Sequence, residues 1–341
     1  MEMNGQMILE FAKTILEIPS PTGYTRDVIA FMEKKVKELG YKTSLTNKGN
    51  LEIYVEGKSE HTKGLCAHVD TLGLMVRSIR DDGTLNFTLV GSPLSPTLDG
   101  EYCLIKTRGN KTYTGTILSD SSSKHVYKDS TSLERTEEHM HIVLDEKVSS
   151  KKEAEALGIM TGDYICFDPK TTITENGFIK SRFLDDKLSV AILYNLLKDF
   201  KEEGIVPKDN WIITISTYEE VGHGSSYINP AIEELIAVDM GCIGKDLNCS
   251  EYDVSICAKD SSGPYDYALI SDFVDICKKE NINFAIDIYP YYGSDVSAAL
   301  RAGANIRGGL IGPGVANSHG MERSHMDAVM NTFSLLKHYM A

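Results

Sequence analysis

Helical and strand-like patterns alternate along most of the 341-residue chain, and this alternation restricts its fold more than any other feature. Amphipathic or apolar periodicity predicts helices at 6–17, 24–39 and 185–204, and strands at 64–68, 210–220 and 234–241. Strands that alternate with helices pair mainly in parallel and bury both faces of their sheet. The sequence therefore predicts an α/β fold with a mostly parallel sheet flanked by helices.

The segment 72–166 has a different pattern. Gly, Pro, Ser and Thr are frequent there, the strand-like runs are short, and the clearest helix is the short segment 151–158. We therefore predict a small, β-barrel-like domain at 72–166, inserted into an α/β domain made of 1–71 and 167–341. The chain is long enough for one large domain and a smaller one.

Charge and composition exclude several classes of partner. The formal net charge of -14 is opposite to the basic surface that nucleic-acid binding requires. No run approaches the roughly eighteen apolar residues of a membrane-spanning helix, and the N-terminal segment is predicted as an amphipathic helix rather than a signal peptide. The seven cysteines are scattered without a C-x-x-C pair, which predicts reduced thiols and a soluble, cytoplasmic protein.

Ionisable residues cluster at the predicted strand ends, where ligand sites form in open α/β sheets. They are His68, Asp70, Asp185, Asp186, Glu219, Glu220, Asp239, His319 and His325. Each residue alone is a weak signal, because a strand-end histidine is more often structural and an aspartate at a helix start is more often an N-cap. Carboxylates that converge at one edge repel one another unless cations neutralise them. Histidine with carboxylates and without cysteine suits zinc, cobalt or manganese.

Five motifs follow one another in order: AHVD at 67–70, LDDK at 184–187, EEVG at 219–222, DMG at 239–241 and SHGMERSH at 318–325. This series resembles the tetrahedral aminopeptidase family, which includes glutamyl and deblocking aminopeptidases and proteins labelled endoglucanase. GSD at 293–295 resembles a further family motif, and the resemblance covers nearly the whole chain. It implies a zinc-peptidase-like fold and an aminopeptidase with two divalent cations, zinc or cobalt first and manganese as an alternative.

The resemblance also implies individual roles. Asp185 would bridge the two cations, and its peptide bond to Asp186 would be cis. His68 and Asp239 would complete one cation site, while Glu220 and His319 would complete the other. Glu219 resembles the general base that activates the hydrolytic water, and Asp70 would orient His68 through its second ring nitrogen.

The C-terminal motif departs from the family pattern. The family has a glutamate four residues after its histidine, whereas Glu322 follows His319 by three, and Gly320 stands in place of a serine. One deletion restores the alignment, so His319 is the preferred ligand. His325 is the alternative.

The predicted substrates are peptides with a free N-terminus, and the resemblance implies a homo-oligomer, from dimer to dodecamer, assembled through the inserted domain. A glycoside hydrolase is one alternative, but its two carboxylates face each other across a sugar about 5–9 Å apart, and adjacent glutamates do not supply that arrangement. A non-catalytic metal-binding assembly protein is the other, although it would have no need of Glu219. The glycine-rich tract 308–314 lacks the ending of a phosphate loop and is predicted to be a backbone turn.

Overall fold

The computed structural model describes residues 2–341 of the chain, with side chains from Asn4 onward. The chain divides into two compact units. The first contains the chain up to Asp70 together with Lys170–Ala341, and the second is Thr71–Pro169. Among the described residues, no helix has the length and apolar character needed to cross a membrane.

The first segment of unit 1 supplies two helices and three strands. They are α1 (Glu2–Leu16), α2 (Arg26–Glu38), β1 (Lys42–Leu45), β2 (Leu51–Val55) and β3 (Thr62–His68). Helix α2 buries Val28, Met32 and Val36, which recur every four residues and so form one face. Strand β3 is buried from Gly64 to His68, as its apolar run predicts.

Unit 2 contains a closed barrel. Its elements are β4 (Gly73–Ile79), β5 (Leu85–Val90), β6 (Tyr102–Lys106), β7 (Thr112–Ser119), β8 (Met140–Leu144), α3 (Lys151–Ala156) and β9 (Tyr164–Phe167). The strands pair in the order β4-β5-β8-β7-β6-β9, and β9 returns to β4 to close the ring. Alternate residues such as Leu74 and Val76 on β4 are buried, which is the period expected of strands with one face in a core.

The second segment of unit 1 supplies the remaining elements. They are β10 (Thr172–Ile173), β11 (Phe178–Ser181), α4 (Leu184–Glu203), β12 (Asn210–Ser216), β13 (Glu234–Val238), β14 (Gly241–Cys242), β15 (Val254–Asp260), β16 (Gly263–Pro264), α5 (Tyr267–Glu280), β17 (Phe284–Ile288), α6 (Asp295–Arg301), β18 (Arg307–Val315), β19 (Glu322–His325) and α7 (Met326–Met340). A short 3-10 turn, Glu219–Val221, follows β12, and another, Ser95–Thr97, lies in unit 2.

A ten-stranded sheet forms the centre of unit 1, in the order β1-β2-β12-β3-β13-β18-β15-β16, with β14 beside β18 and β17 beside β15. Its middle strands β12, β3, β13 and β18 are parallel, while β1, β2 and β15 join it antiparallel. The predicted α/β class with a barrel-like insertion is confirmed. The sheet is mixed, with the predicted parallel pairing in its centre.

The glycine-rich tract is a strand and not the predicted turn. Strand β18 lies between β13 and β15 and contains Gly308, Gly309, Gly312 and Gly314. A turn was predicted because glycine weakens strands, having no side chain to pack. The prediction was wrong because here neighbouring atoms occupy the space that side chains would need. A Cβ atom on Gly309 would lie 2.9 Å from the side chain of Leu269, and one on Gly312 would lie 1.9 Å from the backbone oxygen of Asp239.

Candidate metal centre

The carboxyl ends of the central parallel strands bring distant residues to one edge of the sheet. His68 ends β3 and is in register with Ser216, which ends β12. Asp239 follows directly after β13, and Glu219 and Glu220 form the 3-10 turn after β12. All three strands are buried almost throughout, so their apolar residues determine where these polar residues emerge.

Asp185 lies at the start of α4 and presents one carboxylate oxygen to each of two histidines. Its Oδ1 is 3.1 Å from Nε2 of His68, and its Oδ2 is 3.5 Å from Nε2 of His319. The peptide bond between Asp185 and Asp186 is cis, as the resemblance implies. The backbone of Asp185 and Asp186 is non-helical, so the regular part of α4 begins after them. The Asp185 carboxylate faces the two histidines.

Two groups of potential metal ligands overlap at this point. His68, Asp185 and Glu220 form one, and His68, Glu219 and Asp239 form the other; within each group the ligand atoms lie within 4.8 Å of one another. His319 adjoins the first group, with its Nε2 3.5 Å from Oε2 of Glu220. The structure thus brings all the predicted ligands together.

The electrostatics of this edge call for a cation. Burial and the nearby charge of Asp185 raise the pKa of the Glu220 carboxyl from 4.5 to about 8 and that of Asp239 from 3.8 to about 7. Burial also raises the pKa of Glu219 well above its usual range, and the charge of Asp239 adds to this. Imidazole and carboxylate donors without thiolate fit zinc, cobalt or manganese. The residues therefore fit divalent cations, which would replace protons on these carboxylates.

Asp70 contacts both His68 and the turn that carries Glu219 and Glu220. The backbone carbonyl of Asp70 accepts a hydrogen bond from Nδ1 of His68 at 2.9 Å, and its carboxylate lies 3.5 Å from the same nitrogen, so Nε2 is left to face Asp185. The carboxylate also accepts the backbone N–H groups of Glu219 and Glu220 and the hydroxyl of Thr22. Asp70 therefore orients His68 and also fixes the turn that carries both glutamates.

His325, the alternative ligand, lies elsewhere. Its Nδ1 accepts the backbone N–H of Asp327 and so caps α7, its Nε2 is 2.8 Å from the carbonyl of Asn176, and its ring packs edge-on against Phe178 and Tyr252. His319 is the histidine that lies beside Asp185. Its backbone φ is 64°, a left-handed conformation that is uncommon outside glycine.

Sequence reasoning gave no role to Asp295 or Glu322, although both occur in motifs that it singled out. Asp295 is buried, and its carboxylate accepts hydrogen bonds from Ser216 Oγ at 2.5 Å and from the backbone N–H of Ser225 at 2.7 Å. Gly224 leaves room for this carboxylate, because a Cβ atom there would lie 2.4 Å from Asp295 Oδ1. The resemblance of GSD to a family motif was the available signal for Asp295.

Comparisons with known proteins agree with this geometry. The model of the M42 glutamyl aminopeptidase family matches residues 49–335. The Bacillus subtilis protein YhfE, provisionally named an aminopeptidase, is 47% identical over 334 residues, which is 97% of this chain and 96% of that protein. The resemblance drawn from the five motifs is confirmed.

Solved structures show the same fold. The Pyrococcus horikoshii TET1 peptidase, described as assembling into a tetrahedron or a large octahedral shell, has a TM-score of 0.86 at 21% identity, over 98% of this chain and 99% of that one. A Thermotoga maritima structure described as an endoglucanase has a TM-score of 0.74 at 20% identity, over 96% and 95% of the two chains. At these identities the likeness establishes the fold alone. The sequence match to the family model and to YhfE goes further, and the chain is a metal-dependent peptidase that belongs to the M42 glutamyl aminopeptidase family.

Proposed function

We propose that the chain is an aminopeptidase with two divalent cations, zinc or cobalt with manganese as an alternative, that removes N-terminal residues from peptides. The observation that carries this proposal is the position of Asp185, whose two oxygens face His68 and His319 separately. A carboxylate placed between two imidazoles suits the bridge that a two-cation site requires. His68 and Asp239 would hold one cation, and Glu220 and His319 the other.

When bound, the cations supply Lewis-acid polarisation of the scissile carbonyl and ease deprotonation of water. Glu219 is the proposed general base. Its Oε2 lies 3.7 Å from His68 Nε2, and this carboxylate would accept the proton of the attacking water and deliver it to the leaving amine. The hydrogen bond from its backbone N–H to Asp70 holds the residue in place. Glu219 also belongs to a group of potential metal ligands with His68 and Asp239. A test of its role must therefore measure metal content as well as turnover.

The substrate is proposed to enter with a free α-amine. The cluster at the sheet edge contains more carboxylates than imidazoles, which favours a positively charged ammonium group over an acetylated N-terminus. This preference would restrict the reaction to the first residue of the peptide.

The glycoside hydrolase alternative has little support from the site. Its two carboxylates would need to stand about 5–9 Å apart across a sugar. Here the carboxylates converge with His68, and the ligand atoms within each group lie within 4.8 Å of one another.

The decisive experiment is hydrolysis of a panel of aminoacyl-p-nitroanilides after chelation and after addition of zinc, cobalt or manganese. We expect restored release from free but not from N-acetylated substrates, and the panel would reveal the preferred residue. Chelator-resistant hydrolysis of cellulose oligomers would favour the glycosidase. Binding of two ions without hydrolysis of any peptide would favour the non-catalytic assembly protein.

We also propose that the chain forms a homo-oligomer through unit 2, in a range from dimer to dodecamer. The shell-forming TET1 peptidase and a second structure described as a dodecamer, with a TM-score of 0.84, support an oligomer. The role of unit 2 in it is what the family resemblance implies. Light scattering coupled to gel filtration of the full chain and of a chain with polar substitutions on unit 2 would test it.

All seven cysteines are free thiols in the structure, and this supports a reducing compartment such as the cytoplasm.

A further inference from the structure

Glu322 connects the backbones of two proposed ligands that are far apart in the sequence. Its Oε2 accepts the backbone N–H of Asp185 at 3.0 Å, and its Oε1 accepts the backbone N–H of His319 at 3.0 Å. Antiparallel pairing of β19 with β11 places Glu322 opposite Ser181, just before the chain enters α4. One carboxylate thus holds both the start of that helix and the turn that carries His319.

This arrangement is difficult to explain as ordinary packing. Glu322 is 1% exposed, and its two bonded groups are backbone amides rather than a cationic side chain. A buried carboxylate is costly unless its interactions require it. Only a carboxylate offers two acceptor oxygens, whereas a glutamine of the same size offers one and places its NH₂ group against the other amide.

The conformation of His319 adds a second reason. Asn317 and His319 both have positive φ, at 59° and 64°. The turn thus holds two residues in the left-handed region, which is uncommon for residues other than glycine. Such a turn keeps its shape only if its surroundings hold it. The bond from the His319 N–H to Glu322 is one such restraint, and it acts on the residue whose imidazole must face Asp185 and Glu220.

We propose that Glu322 is a positioning residue that sets the second cation site by fixing Asp185 and His319 relative to each other. This inference rests on the proposed two-cation function. It assigns Glu322 no contact with substrate or cation. The first cation site shares Asp185 with the second, but its other ligands, His68 and Asp239, have no hydrogen bond with Glu322 among those described. We therefore expect the first site to depend on Glu322 less than the second, which has both Asp185 and His319 held by it.

The test is metal binding by metal-free full-length protein, titrated with Co²⁺ against a chelating indicator and followed by the visible spectrum of the bound cobalt. We expect Glu322→Gln to weaken binding of one of two ions by about 10–100-fold, the usual effect of removing a group that orients a ligand. The other ion should stay bound, and the cobalt spectrum should change. Glu322→Asp, which keeps a carboxylate, should weaken the same ion by less.

Glu234→Gln is the matched control. Glu234 is also a buried glutamate, 2% exposed, but its partners are Lys63, Arg307 and the Tyr339 hydroxyl, at the end of β13 opposite to Asp239. This variant should lose stability and keep wild-type affinity for both ions.

The inference is wrong if Glu322→Gln binds two ions with wild-type affinity and spectrum. It is also wrong if Glu234→Gln loses as much affinity for Co²⁺ as Glu322→Gln does. If Glu322→Gln does not fold, Glu322→Asp decides by the same comparison. A wild-type protein that binds fewer than two ions would instead refute the proposed function itself.

Discussion

Gly312 offers a sharp test of how the sheet positions the site. It lies in β18 beside Asp239, whose backbone N–H donates to the carbonyl of Ile311. In Gly312→Ala the new Cβ atom would lie 1.9 Å from the Asp239 backbone oxygen, whereas such contacts are essentially never below 3.0 Å. The end of β13 must therefore move by about 1 Å. Because Asp239 is a proposed ligand, its carboxylate must move as well.

We expect this variant to lose about 1–3 kcal/mol of folding free energy from overpacking. A displacement of about 1 Å in a catalytic site costs on the order of 100-fold in rate, so kcat should fall by about that factor. Chemical denaturation measures the first effect, and hydrolysis of the best p-nitroanilide substrate at saturating metal measures the second. The affinity of the metal-free protein for Co²⁺ should fall in parallel.

Gly244→Ala is the control for this prediction. Gly244 follows β14, and neither it nor Gly312 has a φ in the left-handed range that favours glycine. The nearest atom to a new Cβ on Gly244 would be a Leu247 side-chain carbon at 3.8 Å. This variant should match the wild type in stability, kcat and metal affinity. Wild-type kcat and metal affinity in Gly312→Ala would refute the argument that the glycine leaves room for Asp239.

Three further predictions concern the site itself. Glu219→Gln should reduce kcat by about 10²–10⁴-fold with two ions still bound, measured by turnover and metal analysis together; loss of an ion would make Glu219 a ligand instead. His319→Ala should lose one ion. His325→Ala should keep both ions and lose about 1 kcal/mol of helix capping, besides its packing against Phe178 and Tyr252. The reverse pattern in metal analysis would contradict the assignment. The metal-free protein should become less stable as the pH rises from about 4.5 to about 8. The folded pKa of Glu220, about 8, and of Asp239, about 7, lie above the unfolded values of 4.5 and 3.8, so in this range the folded state holds protons that the unfolded state has lost. Thermal unfolding with and without Zn²⁺ would check this, because bound cations should remove the decline. A metal-free protein that gains stability between pH 5 and pH 8 would contradict it.

The strand-end residues could be located from the sequence because their signal is local. An apolar run that ends in His68 or precedes Asp239 predicts a buried parallel strand, and the carboxyl ends of such strands meet at one edge. The grouping of Asp185 with His68 follows from the same rule and from the family motifs. Asp70 could be assigned in part, since His-x-Asp on an extended strand places both side chains on one face.

Other features depended on packing between distant segments and left no local signal. The glycines of β18 read as a turn because the sequence does not reveal that Leu269 and the backbone of Asp239 fill the space beside them. The bonds of Glu322 to Asp185 and His319 required the pairing of β11 with β19, two short strands with weak patterns. These contacts join segments that are far apart in the sequence, so no short stretch of sequence predicts them.

The closed ring of unit 2 limits how copies of this chain can join. Every strand from β4 to β9 has a hydrogen-bonded neighbour on both sides, although β5 and β8 pair only at Leu85 and Ile142. Most of the strand edges of this unit are therefore closed to strand addition by another molecule. Assembly through this unit would therefore rely mainly on side chains and connecting loops, which can be substituted one residue at a time while the barrel stays folded. The number of subunits can therefore change through surface substitutions while the barrel itself stays the same.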